Sequence, residues 1–389
     1  MIRPELESLL RPLEEFETIR RRAVRLGDRL CDLSYANPYE GVQQGTRDVL
    51  RRALERERPL DLQYAPFGGQ TLARRGVADD LSARHGMEYG FQDVILTPGA
   101  MAALHLAMRV ATEPGDEVLV PVPCWLDYPL YAHYLDLKPV LLPLRAPGFL
   151  LDPEAIDRAL TPRTAALLIS NPSNPAGRSY SKASLEDLAA ALRRAEGRLG
   201  RSLMVIADET HRDFTEPDGH FAAARAWPAT ITVYSFGKYH FLQGQRIGYL
   251  AVSPHHPRRD ALGAEIVRWT RITGFCTPTA LMQTAVPELL ALRHNLAPIS
   301  RARRLVTDDL LGAGYEVTPA DGTLFVYVAT PKRLDDFEFT RQLAGRGVLV
   351  LPAPIFHHKG HFRLALTGGA RMLEGGVRIL REMANTTHA

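Results

Sequence analysis

Between residues 90 and 252 the chain alternates short, unbroken apolar runs with turn residues and longer amphipathic stretches. The runs fall at 94–97, 118–121, 165–170, 203–207, 231–235 and 247–252, most of them bounded by Gly, Pro, Asn or Asp. A strand with one wet face alternates apolar and polar residues, whereas an unbroken apolar run has both faces covered. Amphipathic stretches such as 184–199 supply the covering helices. The pattern therefore predicts an α/β fold with a mostly parallel sheet sandwiched by helices. In open sheets of this kind ligands bind at the carboxyl ends of the strands. The residues at those ends are Pro98-Gly99-Ala100, Pro123-Cys124-Trp125, Asn171-Pro172-Ser173-Asn174-Pro175, Asp208-Glu209 and Ser235-Phe236-Gly237-Lys238.

The chain is 389 residues long, more than one compact core usually holds. Ser253-Pro254-His255-His256-Pro257 marks a change of pattern. Helical text then runs to about 313, followed by three short strands at 324–329, 348–351 and 362–366 with a helix between the first two. That tail reads as a smaller α+β domain. Residues 1–30 are charged and helical until Ser34-Tyr35-Ala36-Asn37-Pro38 breaks the pattern. The expected division is an N-terminal helix and loop at 1–45 that packs on the small domain, a large domain at 46–265 and a small C-terminal domain at 266–389.

Charge and cysteine usage exclude several function classes. The formal net charge is only +3, so no general electrostatic case exists for nucleic acid or a membrane surface. The run Arg20-Arg21-Arg22 reads as a solvated helix face. Cys31, Cys124 and Cys276 are far apart, which supports neither a disulfide framework nor a metal site and points to a reducing cytoplasm. The N-terminus is too polar for a signal peptide, and no stretch approaches a membrane span. Asp208-Glu209-Thr210-His211 has the letters of a helicase box, but no G-x-x-x-x-G-K-[ST] loop lies upstream, and no G-x-G-x-x-G follows a strand.

Only five of the 47 basic residues are lysines: Lys138, Lys182, Lys238, Lys332 and Lys359. Arg stays protonated and cannot act as an amine nucleophile, so a retained Lys is informative. Lys238 follows a buried strand, with Ser235 three residues before it and Arg246 eight after. A hydroxyl and a guanidinium suit a phosphate, and a Lys in a closed pocket can lose its proton and attack an aldehyde.

From about Tyr64 to Arg363 these motifs stand in an order that resembles the class I/II aminotransferase superfamily of fold-type I enzymes dependent on pyridoxal 5′-phosphate (PLP). The resemblance implies a seven-stranded-type sheet in the large domain, with Lys238 holding PLP as a Schiff base and then moving the substrate Cα proton. It implies that Ser235, Arg246 and the turn Gly99-Ala100-Met101 bind the phosphate, the turn opening a helix whose N-terminus suits an anion. Asp208 resembles the carboxylate that keeps the pyridine nitrogen protonated. Asn174, in Asn171-Pro172-Ser173-Asn174-Pro175-Ala176-Gly177, resembles the donor to the ring O3′, and Trp125 the stacking aromatic. Tyr64, in Tyr64-Ala65-Pro66-Phe67-Gly68-Gly69, resembles the tyrosine that reaches the phosphate of a neighbouring subunit, which implies a homodimer. Arg363 resembles the fork that grips the substrate α-carboxylate.

The pattern departs from the family at two places. The family usually has Tyr at the fourth position of Asp-x-x-Tyr, donating to O3′; here His211 stands there. An imidazole N–H can make the same bond, with a charge that is expected to vary near neutral pH. His240 is expected to be a structural residue. In the N-terminal loop Tyr35 and Asn37 replace a Gly-rich stretch and are expected over the substrate side chain, which Trp125, Tyr128 and Phe275 also suit. The implied activity is transamination of a small L-amino acid with a 2-oxo acid. The same residues suit a lyase, cyclase, decarboxylase or O₂-dependent oxidase. A PLP-binding regulator would need a DNA-binding domain for which the first 63 residues give no helix-turn-helix pattern.

Overall fold

The computed structural model describes residues 2–38, 42–56, 62–215, 219–331 and 334–387, so Lys332 lies outside the described residues. Seven strands form the central sheet: β1 Val94–Thr97, β2 Glu117–Val122, β3 Lys138–Pro143, β4 Thr164–Ser170, β5 Met204–Asp208, β6 Thr230–Ser235 and β7 Gly248–Val252. Their order across the sheet is β1-β7-β6-β5-β4-β2-β3. β2 to β6 run parallel, and β7 is antiparallel to both of its neighbours, β6 and β1. β1 thus points the same way as the parallel set, and six carboxyl ends open on one edge.

Both faces of the sheet are dry, as unbroken apolar runs require. Val118 and Val120 pack with Ile206, Ile231, Val233 and Leu250 under the helix Ala100–Ala111, which contributes Ala103, Leu104, Ala107 and Met108. Leu119, Leu167, Ile169 and Val205 face the other way, against Leu185, Leu188 and Leu192 of the helix Lys182–Leu199. Each such side chain, fully buried, contributes roughly 1.5–3 kcal/mol. β3 is the strand that the apolar pattern misses. Pro139 and Pro143 interrupt it, and a strand without those donors belongs at an edge, where β3 lies.

The helical stretch after 255 is three helices, Arg259–Ile272, Ala280–Ala291 and Ala297–Gly312. The expected boundary at 265 falls inside the first. Its Leu262 and Ile266 belong to the central core, and Met282, Val286 and Leu289 of the second pack with Val77 and Leu81 on the large unit. Only the third joins the C-terminal unit, through Val306 and Leu310.

That unit carries an antiparallel sheet of β8 Phe325–Ala329, β9 Leu351–Pro352 and β10 His361–Ala365, in the order β9-β10-β8. The apolar run at 348–351 splits: Val348–Leu349 pairs in parallel with Cys31–Asp32, while β9 pairs with β10. The helix Pro4–Ala23 sets Phe16 and Ile19 in one cluster with Ala344, Leu349 and Phe356 of the smaller unit and with Leu126, Phe149 and Ala176 of the large one. No helix of the described residues is long and apolar enough to cross a membrane.

Candidate active site

Four of the expected residues converge where β1, β6 and β7 meet. Gly248 pairs with both Thr97 and Ser235, and a Cβ on it would come within 2.9 Å of the Gly99 carbonyl carbon and 3.0 Å of the Ala100 nitrogen. The glycine lets the turn before the helix Ala100–Ala111 close onto β7. Gly99 itself has φ 85° and ψ 173°, a conformation almost confined to glycine. A Cβ there would lie 2.7 Å from Nη2 of Arg246, so the guanidinium lies against the turn. Ser235 Oγ accepts the Gly237 N–H at 3.2 Å, leaving its own proton to donate. The first N–H groups of a helix have no intrahelical acceptor. Guanidinium, hydroxyl and helix N-terminus thus form a cradle for a phosphate, which a side chain at 99 would fill.

Lys238 lies in the short helix Phe236–Tyr239 that Ser235 caps. Burial, then the charges of Arg363 and Arg246, bring its amine down to about 8, against the opposing pull of Asp208. Asp208 ends β5 and is buried; Oδ2 accepts the Tyr128 hydroxyl at 2.6 Å and Oδ1 the Thr210 N–H at 2.9 Å. Burial pushes its carboxyl up, and the bonds from Thr210 and Tyr128 pull it down.

Arg363, on β10, is only 2% exposed. Nη1 donates to Asn174 Oδ1 at 2.8 Å and Nη2 to the Ser34 carbonyl at 3.0 Å, while Nε has no hydrogen-bond partner. The rings of Phe325 and Phe356 lie 3.9 and 4.9 Å from its central carbon. Burial brings its pKa down to about 9. Among the described residues no carboxylate pairs with it. Asn174 is held by its loop, where Asn171 Oδ1 accepts the Tyr180 N–H and the Asn171 amide donates to the Phe221 carbonyl. Because Asn174 Oδ1 is taken by Arg363, its amide nitrogen remains free to donate.

His211 is buried, its ring set 5.3 Å from that of Phe325, and Nδ1 has no hydrogen-bond partner. Burial, then the charges of Lys238 and Arg363, push its pKa well below the ordinary value. These surroundings favour the neutral imidazole, where a variable charge near neutral pH was expected. His240 lies outside the cleft, with Nδ1 2.9 Å from His294 Nε2 and its pKa brought down to about 3, mainly by burial.

The remaining expected residues are looser. Trp125 is half-buried between two apolar clusters. Tyr35 donates to Glu17 Oε1 at 2.7 Å, so its hydroxyl points at the N-terminal helix, although it lies within electrostatic reach of Arg363. Asn37 is exposed. Met101 is partly exposed where its helix begins, and Tyr64 is fully exposed, with no hydrogen bond or ring contact among the described residues. Phe275 packs edge-on to His105. Tyr128, expected against substrate, is instead buried on Asp208. Sequence reasoning missed the Ser34 carbonyl and the two Phe rings around Arg363. Backbone acceptors and long-range ring contacts carry no residue signature.

Comparison with known proteins bears on the family and the fold. The model of the family described as aminotransferase class I and II matches residues 30–380. A probable aspartate/prephenate aminotransferase of Thermus aquaticus is 31% identical over 363 residues, 90% of each chain. An arginine–pyruvate transaminase of Pseudomonas aeruginosa is 28% identical, over 91% of this chain and 90% of that one. The solved structure of an amino transferase from Eubacterium rectale superposes with a TM-score of 0.91 at 23% identity, covering 100% of both chains.

Proposed function

Since the chain belongs to the aminotransferase class I and II family, we propose that it moves the amino group of a small L-amino acid to a 2-oxo acid, with PLP held on Lys238. Arg363 carries this reading. A buried cation whose only hydrogen-bond acceptors among the described residues are neutral oxygens is costly, so its persistence beside Lys238 argues for an anion supplied by the ligand. An α-carboxylate fits a two-pronged guanidinium fork.

The phosphate falls to Ser235, Arg246 and the N–H groups of Gly99, Ala100 and Met101, with Tyr64 reaching over from a second subunit. Trp125 would stack on the ring, Asp208 would hold its nitrogen, and Asn174 and His211 would donate to O3′. Neutral His211 performs that donation without adding charge. When bound, PLP would supply an electron sink for the bond broken at Cα. The Lys238 amine would move the proton at Cα, a task suited to a group brought down to about 8. Tyr35 and Asn37 stand towards the side chain. The two sequence relatives act on substrates of opposite side-chain charge by their names, so the proposal is a small amino acid and no more. A seam after Ala291, a homodimer and a cytoplasmic setting, in keeping with three free cysteines, belong to the same reading.

The test is an amino-acid panel on the purified yellow protein, following pyridoxamine phosphate, oxo acid, ammonia, CO₂ and peroxide together. Pyridoxamine phosphate with a 2-oxo acid is the expected result. Ammonia, CO₂ or peroxide in their place would overturn transamination. A visible band that survives in Lys238→Ala would overturn the role of the lysine.

A further inference from the structure

We propose that Tyr128 is a positioning residue that holds Asp208 as a carboxylate, so that the proton shared between this group and the cofactor ring stays on the ring nitrogen. The inference rests on the PLP reading above and gives Tyr128 a role other than the substrate contact that the sequence suggested.

Tyr128 opens the helix Tyr128–Tyr134, directly followed by Pro129, three residues after Trp125. Its backbone N–H donates to the Trp125 carbonyl at 3.3 Å. The side chain is 1% exposed and reaches the end of β5, where its hydroxyl donates to Asp208 Oδ2 at 2.6 Å. That length belongs to a charge-assisted O–H···O⁻ bond. With the Thr210 N–H on Oδ1, each carboxylate oxygen receives one donor and keeps a lone pair for a ligand.

The surroundings make that donor matter. Among the described residues no salt bridge reaches Asp208. Glu209, the next residue, opposes its ionisation. Tyr131, on the same helix as Tyr128, and Lys238, on the helix after β6, lie within electrostatic range. Cys124 lies near Tyr128, and burial keeps its thiol neutral. The anion is therefore sustained largely by the hydrogen bonds of Tyr128 and Thr210. In a pair that shares one proton, a donor to the carboxylate lowers its proton affinity and leaves the proton on its partner. Without the phenol, the buried carboxyl takes the proton and the ring becomes a weaker electron sink.

The experiment uses the holoenzyme of the wild type and of Tyr128→Phe, which keeps the ring volume and removes only the hydroxyl. A hydrogen bond to a charged group is worth about 1.5–3 kcal/mol, so kcat should fall roughly ten- to a hundredfold. KM for the amino acid should stay within about twofold, because Tyr128 does not touch substrate. Loss of the donor raises the Asp208 carboxyl pKa, so the acid limb of kcat should move to higher pH. Nitrogen NMR of ring-labelled cofactor should move from the protonated towards the neutral pyridine position. An unmoved nitrogen signal with an unmoved acid limb would overturn the proposal, even if melting temperature fell, because Tyr128 would then only fill space. If wild-type protein gave no visible band dependent on Lys238, the PLP reading would fall and take this one with it. A normal band with an unmoved nitrogen would sink the Tyr128 role alone.

Discussion

Lys238 is one of five lysines in a chain that otherwise uses arginine, and its surroundings give that choice a chemical meaning. Burial and two cations bring the amine down to about 8, which raises the fraction of nucleophile near neutral pH. The unprotonated form attacks, so capture of PLP by apoprotein should quicken about tenfold per pH unit below 8 and level off above it. Stopped-flow absorbance between pH 6 and 10 measures this; a rate still climbing tenfold per unit at pH 10 would mean an unshifted lysine. Spacing to Ser235 and Arg246 made Lys238 legible in the sequence. The state of His211 was not, because it depends on burial and on the charges of Lys238 and Arg363, which the fold brings to it from other elements along with the ring of Phe325.

At the scale of elements, the strands were legible wherever both of their faces are dry, since the missing alternation is itself the signal. β3 escaped because an edge strand needs neither two apolar faces nor a full set of donors. The turn into the helix Ala100–Ala111 was legible as a glycine, but its geometry was not: φ 85° and the guanidinium of Arg246 both exclude a Cβ. Gly99→Ala should therefore strain the turn by about 1–3 kcal/mol and move Arg246 off the phosphate position. Cofactor affinity should drop roughly tenfold or more, measured by titrating apoprotein with PLP, while inorganic phosphate should protect the variant less than the wild type. Unchanged affinity would separate the turn from the phosphate site.

For the whole molecule, the division into units was legible only in outline. Helices Arg259–Ile272 and Ala280–Ala291 follow the change of text yet pack on the large unit, and their apolar residues do not say which core they enter. Tyr64 stands fully exposed, with Leu62 and Leu72 close to it in sequence also exposed. If Tyr64 completes the site of a second copy, Tyr64→Ala and Lys238→Ala proteins should each be nearly inactive alone. Dissociated and reassembled together they should recover about a quarter of wild-type activity, because half of randomly paired dimers hold one intact site of two. No recovery in a mixture shown to exchange subunits would remove Tyr64 from the neighbour's site.

Arg363 joins the smaller unit to Asn174 of the large one and to Ser34 of the N-terminal arm. Two neutral oxygens, at 2.8 and 3.0 Å, thus stand in for the pair that a carboxylate brings, and the fork is already aimed before any ligand arrives. On the proposed reading, entry of an amino acid would be an exchange of one acceptor for a better one. Acids should win that exchange, whereas amides and esters of the same amino acids bring no charge with which to displace the resident oxygens.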